Sequence, residues 1–312
     1  MTVTIPFIAN IADYEVKAWQ TAFSEALPSV SLVPTAMLEK KQGHSVAVVA
    51  NPDPSEIASL LDLVWVQSLW AGVEKIINEP TLKNIGIARL IDPQLASTMA
   101  EAVLAWTLYL HRDMPRYRTL QQQKKWCPLP YIPPQDRKVG ILGLGKLGIA
   151  AAQKLLSNNF TVLGWSRSEK RLDGVQSFYG ETGLREMVSQ CDIIVCLLPL
   201  TKATEGLINS KLLALLPTGA SLINFGRGPI LDTSALITSL DAKRLNHAVL
   251  DVFDQEPLPV NNPLWAHKSV TVLPHISAPT TIATGAKVAA DNIKRYLKDG
   301  TLPQLADRKQ GY

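Results

Sequence analysis

The chain has 312 residues, 46% of them hydrophobic and 19% charged, with a formal net charge of +4. That length exceeds the ~250–300 residues at which a single core stops growing, so two domains are expected. No apolar run approaches the ~18 residues of a membrane span, and the scattered Lys and Arg form no nucleic-acid tract; the mild basic excess suits anionic substrates and a phosphorylated cofactor. The apolar start, Met1 to Ile8, lacks a basic leader and a cleavage site and reads as a first strand, so cytoplasmic residence is expected. Cys127, Cys191 and Cys196 offer no framework of bridges. Cys191 and Cys196 border an apolar run and read as buried free thiols, with no neighbouring His or Cys pair to suggest a metal site.

Up to about residue 95, short apolar strands alternate with helical patterns. Strands are predicted over 3–8, 45–50, 63–67 and 85–89, and helices over 13–27 and 54–60. The turns of this segment carry no glycine-rich nucleotide signature. One loop, Ser68-Leu69-Trp70-Ala71-Gly72-Val73-Glu74, leaves a strand directly. Residues 97–111 then read as a long helix with Ser97 as its N-cap. It is apolar on too many faces for a surface helix and should be buried between domains or subunits.

After a proline-marked loop (Pro128, Pro130, Pro133, Pro134), a second α/β unit starts at Lys138. Strands are predicted over 139–142, 161–165, 193–197, 221–225, 248–252 and 270–273, with helices over 146–156 and about 281–298. Strands alternating with helices in this way predict parallel sheets covered on both faces.

The first strand of this unit runs into Gly143-Leu144-Gly145-Lys146-Leu147-Gly148 and then into a helix. An isolated motif of this form is weak evidence, and an ordinary glycine-rich turn is the plain alternative. Strand–turn–helix context gives it meaning: the first glycine permits the turn, the second lets amides approach a pyrophosphate, and the third lets helix and strand pack. The helix N-terminus adds unpaired N–H groups and partial positive charge. An NAD-binding unit should show an acidic residue about 20 positions further on, for the ribose hydroxyls. Ser166-Arg167-Ser168 stands there instead, a guanidinium between two hydroxyls suited to a 2′-phosphate, so NADPH is expected over NADH. A solvated basic turn is the plain reading of the same residues, and Glu169 lies within reach of a ribose.

Three residues past strand ends supply the reaction chemistry. Arg227, flanked by Gly226 and Gly228, is a bidentate donor suited to the carboxylate and carbonyl of a 2-oxo acid. A new alkoxide needs a proton, which an imidazole is suited to give; His275 can supply it, and Glu256 can hold its other nitrogen and stabilise the imidazolium. His44, His111, His247 and His267 lack this pattern and read as structural. Asp251 can accept from a nicotinamide carboxamide, or serve as a turn former. Leu198-Pro199 leaves another strand end and can lie along the cofactor, or simply terminate the strand.

In this order, Gly143-Leu-Gly-Lys-Leu-Gly148, Trp165-Ser-Arg167, Asn224-Phe-Gly-Arg227-Gly, Asp251-Val-Phe-Asp-Gln-Glu256-Pro, Pro263-Leu-Trp265 and Pro274-His275 resemble the D-isomer-specific 2-hydroxyacid dehydrogenases. The likeness is strongest to their glyoxylate/hydroxypyruvate reductase A branch and covers essentially the whole chain. It implies two doubly wound parallel-sheet α/β domains. These are a flavodoxin-like substrate-binding lobe of residues 1–96 and 282–312, and an inserted NAD(P)-binding Rossmann lobe of residues 97–281. It also implies that Arg227 binds the 2-oxo acid, His275 is the general acid, Glu256 is its partner, and amides near Ala71, Gly72 and Val73 hold the substrate carboxylate. A homodimer through the cofactor domain, burying the helix at 97–111, is implied as well.

Two positions depart from the family pattern. Trp70 stands where a small residue is more usual, and Phe225-Gly226 replaces a small pair, so the substrate pocket and the nicotinamide pocket are expected to differ. The expected reaction is NADPH-dependent reduction of a small 2-oxo acid to the D-hydroxy acid, with lobe closure excluding water. An NAD-linked dehydrogenase of a larger D-2-hydroxy acid and a dinucleotide-sensing binding protein are the alternatives.

Overall fold

In the computed structural model, which describes residues 2–311, contacts divide the chain into two compact units: Met1–Gln94 with Thr280–Tyr312, and Leu95–Pro279. The first unit is built on five strands, β1 (Val3–Ala9), β2 (Val30–Pro34), β3 (Val46–Ala50), β4 (Trp65–Ser68) and β5 (Gly86–Ala88). They pair in the order β2-β1-β3-β4-β5, every pair parallel. This is the flavodoxin-like order, with its topological switch between β1 and β3. The central strand β3, Val-Ala-Val-Val-Ala, is buried at every position, as a parallel strand covered on both faces should be. Trp19 and Phe23 of helix Asp13–Ala26 meet Ala286, Ala289, Ala290 and Ile293 of helix Ile282–Asp299 in one core cluster. The chain therefore returns to its first unit through an alanine-rich face that lets two helices approach. Beyond this helix, Arg308 donates to the carbonyls of Ile77, Leu82 and Ile85 and straps the tail to the unit.

The second unit holds β6 (Lys138–Leu142), β7 (Thr161–Ser166), β8 (Val175–Tyr179), β9 (Ile193–Cys196), β10 (Ala220–Asn224), β11 (Leu245–Leu250) and β12 (Val270–Val272). Its order is β12-β11-β10-β9-β6-β7-β8, again all parallel. Counted from β6, this is the Rossmann order extended by one strand, with the switch point between β6 and β9. The doubly wound α/β architecture expected from the sequence is thus present in both units.

Two local expectations need correction. β2 and β8 went unpredicted; both are edge strands, and an edge position demands less of an apolar pattern than a strand buried between neighbours. The long apolar helix runs Pro93–His111, so Ser97 lies inside it; Asp92 instead accepts from the Gln94 N–H at 2.9 Å and from the Thr284 hydroxyl at 2.6 Å. One face of that helix, through Met99, Val103 and Leu110, packs into the core of the second unit beside Val139 and Ile141. Cys191 and Cys196 are buried free thiols, and burial pushes both up to about 12.

Candidate active site

Strand β6 delivers the glycine turn at the switch point. Gly143 has φ 105°, a conformation side chains rarely adopt. A Cβ on Gly148 would lie 1.9 Å from the Gly143 carbonyl oxygen, so the third glycine is what lets helix Lys146–Leu156 sit against the turn. A Cβ on Gly145, the residue at the helix N-cap, would meet nothing within 4 Å. The turn thus offers open space in front of a helix N-terminus that carries no acidic residue in its first turn, which fits a pyrophosphate. Leu144 is buried and its side chain lies against Gly164, so what it presents at the turn is backbone. Leu198 closes in from the end of β9: a Cβ would lie 3.1 Å from the Leu197 carbonyl oxygen at Gly143 and 2.8 Å from the Leu198 carbonyl oxygen at Gly226. The Pro199 carbonyl accepts from Thr204 at 2.6 Å. Phe225 is buried in the core with Val139, Ile141 and Val249, so it too leaves only backbone at the cofactor side.

After β7, the Ser166 hydroxyl donates its proton to the Ser168 carbonyl at 2.7 Å. It therefore shapes the loop rather than donating outward, and leaves Arg167 and Ser168 as the exposed donors. Glu169 is engaged by Arg171 at 3.1 Å. Sequence reasoning passed over Lys170, whose ammonium donates to the Leu144 carbonyl at 2.6 Å and ties this loop to the glycine turn. Its position in a basic stretch was visible, but its reach across 26 residues was not.

The structure brings His275 and Glu256 together. His275 Nδ1 and Glu256 Oε2 are 2.7 Å apart, and Glu256 Oε1 accepts from the Phe253 N–H at 2.9 Å. The carboxylate is held by backbone on one oxygen and holds the imidazole with the other, which orients the ring and leaves Nε2 for a second partner. His275 has φ 55°, the left-handed region, unusual for a residue with a side chain. Asp251, buried just past β11, supports that conformation: its two oxygens accept from the N–H groups of Ile276 and Ser277 at 2.7 and 2.9 Å. Both oxygens thus serve the turn that carries His275, a use the sequence did not suggest. Arg227 stands three residues past β10, and its Nη1 donates to the Gly226 carbonyl at 2.7 Å. The next residue, Gly228, is pressed on the loop bearing Glu256, since a Cβ there would lie 2.0 Å from the Phe253 carbonyl carbon. The arginine turn and the glutamate loop therefore touch. Of the other histidines, His247 is buried against Thr271 at 2.9 Å and His267 faces Asp241 at 3.3 Å.

This combination of dinucleotide turn, arginine turn and His–Glu pair agrees with known proteins. The profile of the D-isomer-specific 2-hydroxyacid dehydrogenases, NAD-binding domain, matches residues 104–277. The chain belongs to the D-isomer-specific 2-hydroxyacid dehydrogenase family. A family member from Xanthobacter autotrophicus Py2, solved with NADPH and MES, is 34% identical over 100% of both chains, with a TM-score of 0.94. The NADPH-dependent glyoxylate/hydroxypyruvate reductase of Sinorhizobium meliloti, solved with NADP and sulfate, is 30% identical over 100% of both chains, with a TM-score of 0.92. A family protein from Klebsiella pneumoniae 342 is 31% identical over 98% of both chains, with a TM-score of 0.88. The protein is accordingly an NAD(P)-dependent 2-hydroxyacid dehydrogenase.

In the first unit of this dehydrogenase, the loop after β4 is pinned at Trp70. Its N–H donates to the Ser68 hydroxyl at 3.0 Å and its carbonyl accepts from Leu90 at 3.0 Å. The Trp70 indole packs on the unit's own core, nearly perpendicular to Trp19 at 6.3 Å between ring centroids. Ala71 and Gly72 are half-buried and Val73 is buried. Among the described residues, no helix is long and apolar enough to cross a membrane.

Proposed function

We propose that this dehydrogenase catalyses the NADPH-dependent reduction of small 2-oxo acids, glyoxylate and hydroxypyruvate, to the corresponding 2-hydroxy acids, the D isomer where the product is chiral. The observation that carries the reading is the His275–Glu256 pair at 2.7 Å, on a loop that abuts the arginine turn. When bound, the cofactor supplies the reducing equivalent from its nicotinamide. Residues 143–148 would hold its pyrophosphate, and the segments at Leu198-Pro199 and Phe225-Gly226 would lie along it. Arg167 and Ser168 would take the 2′-phosphate, within a loop shaped by Ser166. No carboxylate ends β7 to favour a bare ribose.

On the protein's side, Arg227 holds the carboxylate and polarises the keto oxygen as a planar, permanently charged donor. In the first unit, the backbone amides of Ala71, Gly72 and Val73, on the loop bounded by Trp70, suit a carboxylate. His275 gives its Nε2 proton to the developing alkoxide while Glu256, bonded to Nδ1, steadies the imidazolium. The 30% identity to the Sinorhizobium reductase along the whole chain supports the substrate class.

Steady-state rates with NADPH and NADH across glyoxylate, hydroxypyruvate, pyruvate and bulkier 2-oxo acids test this. The expected outcome is at least a tenfold NADPH preference and the highest kcat/KM on the two smallest hydroxylated or unsubstituted acids. An NADH preference, or faster turnover of the bulkier acids, overturns it. A homodimer is part of the same proposal. It is supported by Leu108, Tyr117, Trp126 and Tyr131, all exposed on the second unit's long helix, the helix after it and the following loop. We also place the enzyme in the cytoplasm, in keeping with its three unpaired cysteines.

A further inference from the structure

Asn224 ends β10 and is fully buried, yet neither half of its amide is left without a partner. Its Oδ1 accepts from the Gly226 N–H at 3.2 Å, and its Nδ2 donates to the Arg227 carbonyl at 3.2 Å. One side chain thus spans the Gly226–Arg227 segment, holding the N–H at its start and the carbonyl at its end. The backbone there has little freedom to compensate. Arg227 is extended, with φ −144° and ψ 148°. Gly226 lies so close to the Leu198 carbonyl oxygen that a Cβ would sit 2.8 Å from it, and Gly228 is pressed still closer to Phe253. The Asn224 carbonyl in turn accepts from the Asp251 N–H at 3.1 Å. Asp251 carries the two amides that follow His275. A continuous run of hydrogen bonds therefore leads from the arginine turn to the histidine turn through Asn224.

We propose that Asn224 is a positioning residue: it sets the backbone from which Arg227 reaches the 2-oxo acid, and it acts on substrate binding through that arginine, not on the cofactor. The proposal rests on the reading of Arg227 as the substrate anchor. An amide suits the position. It must accept from one peptide N–H and donate to one peptide carbonyl at once, within a buried site where either group left unmade is costly. A carboxylate keeps the acceptor and loses the donor; alanine loses both.

The test compares Asn224→Ala, Asn224→Asp and Arg227→Lys with the double variant Asn224→Ala/Arg227→Lys. Readouts are KM and kcat for glyoxylate, NADPH affinity by fluorescence titration, and the melting temperature as a check on folding. Asn224→Ala is expected to raise the glyoxylate KM at least tenfold, with Asn224→Asp in between, and NADPH affinity within twofold of the parent. In the Arg227→Lys background the Asn224 change should cost less than a further twofold. An unchanged glyoxylate KM, a matching loss of NADPH affinity, or full additivity with Arg227→Lys overturns the proposal. If Asn224→Ala does not fold, Asn224→Asp is held to the same three criteria. Should Arg227→Lys alone leave glyoxylate reduction unchanged, the reading of the substrate anchor fails instead, which separates the two outcomes.

Discussion

The two units solve the same folding problem in the same way and arrive at opposite chemistry. Each opens with a buried parallel strand that runs through a turn into a helix at the switch point of its sheet. In the first unit the turn after β1 is Asn10-Ile11-Ala12, and the helix begins with Asp13 and Glu15 in its first turn. Glu15 accepts from the Ala12 N–H at 3.2 Å. The helix dipole is answered by the protein's own carboxylates, and a phosphate would be repelled. In the second unit the equivalent turn is glycine-rich, the first helical turn has no acid, and Lys146 stands at its start. There the positive end of the helix is left for a ligand. Fold alone therefore does not make a dinucleotide site; the residues of one short turn decide which of two similar sheets can hold one.

Several changes would break or sharpen that contrast. The largest effect is expected at the proposed proton donor, which stands in the second unit. His275→Ala should lower kcat by about 10²–10⁴-fold, the usual worth of a positioned acid, while NADPH affinity stays nearly constant. Turnover close to the parent's would remove His275 from the mechanism. Next comes Gly148→Ala, whose Cβ would lie 1.9 Å from a backbone oxygen. It should weaken NADPH binding by roughly two orders of magnitude, about 3 kcal/mol, in line with an overpacked site that must distort. A change at the turn of the first unit, Ala12→Gly, should leave NADPH affinity alone. If both variants bind NADPH like the parent, the contrast between the turns is wrong.

A pH effect of similar size should come from the second unit's buried histidines. His247, between Thr271 and Tyr109, is held down to about 4 by burial and then by nearby His267, against 6.5 for a free imidazole. His111 is lowered too, first by burial and then by Arg137 and Arg112. The folded state resists a proton that the unfolded chain accepts, so stability is full above pH 6.5 and falls as pH drops toward 4. His247 alone should contribute a loss of roughly 3 kcal/mol over that range. Urea midpoints measured at pH 7.5 and 4.5 should differ clearly less in His247→Gln than in the parent; equal differences would exclude His247 as the source. The smallest effect is expected at the first unit's capped helix. Glu15→Ala should cost about 0.5–1 kcal/mol of stability and leave NADPH binding untouched, as a lost cap does.

Much of this molecule was legible because its chemistry is written at strand ends. Arg227, Glu256 and His275 follow apolar strands closely enough that periodicity alone places them on one rim of a parallel sheet, and the glycine turn announces itself through strand–turn–helix context. The edge strands β2 and β8 were not legible, since Val30–Pro34 ends in proline and Val175–Tyr179 buries only Phe178. Ser97 looked like a helix cap because it precedes an apolar run, yet the helix had already started at Pro93 after an aspartate that caps it from outside. Leu144 and Phe225 sit in motifs that suggest ligand contact, but their side chains are spent on the core.

The sequence by itself determined the order of the motifs, the kinds of group available at each strand end, and so the family of reaction. Tertiary structure decided how those groups are employed. Asp251 lies 25 residues from the amide it holds, Lys170 lies 26 from the carbonyl it reaches, and the Trp70 ring meets Trp19 from a different element. A side chain's donors and charge are local properties, readable from its identity. Whether they face a ligand or are consumed by the fold depends on which distant backbone groups arrive beside them, and only the packed structure brings those together.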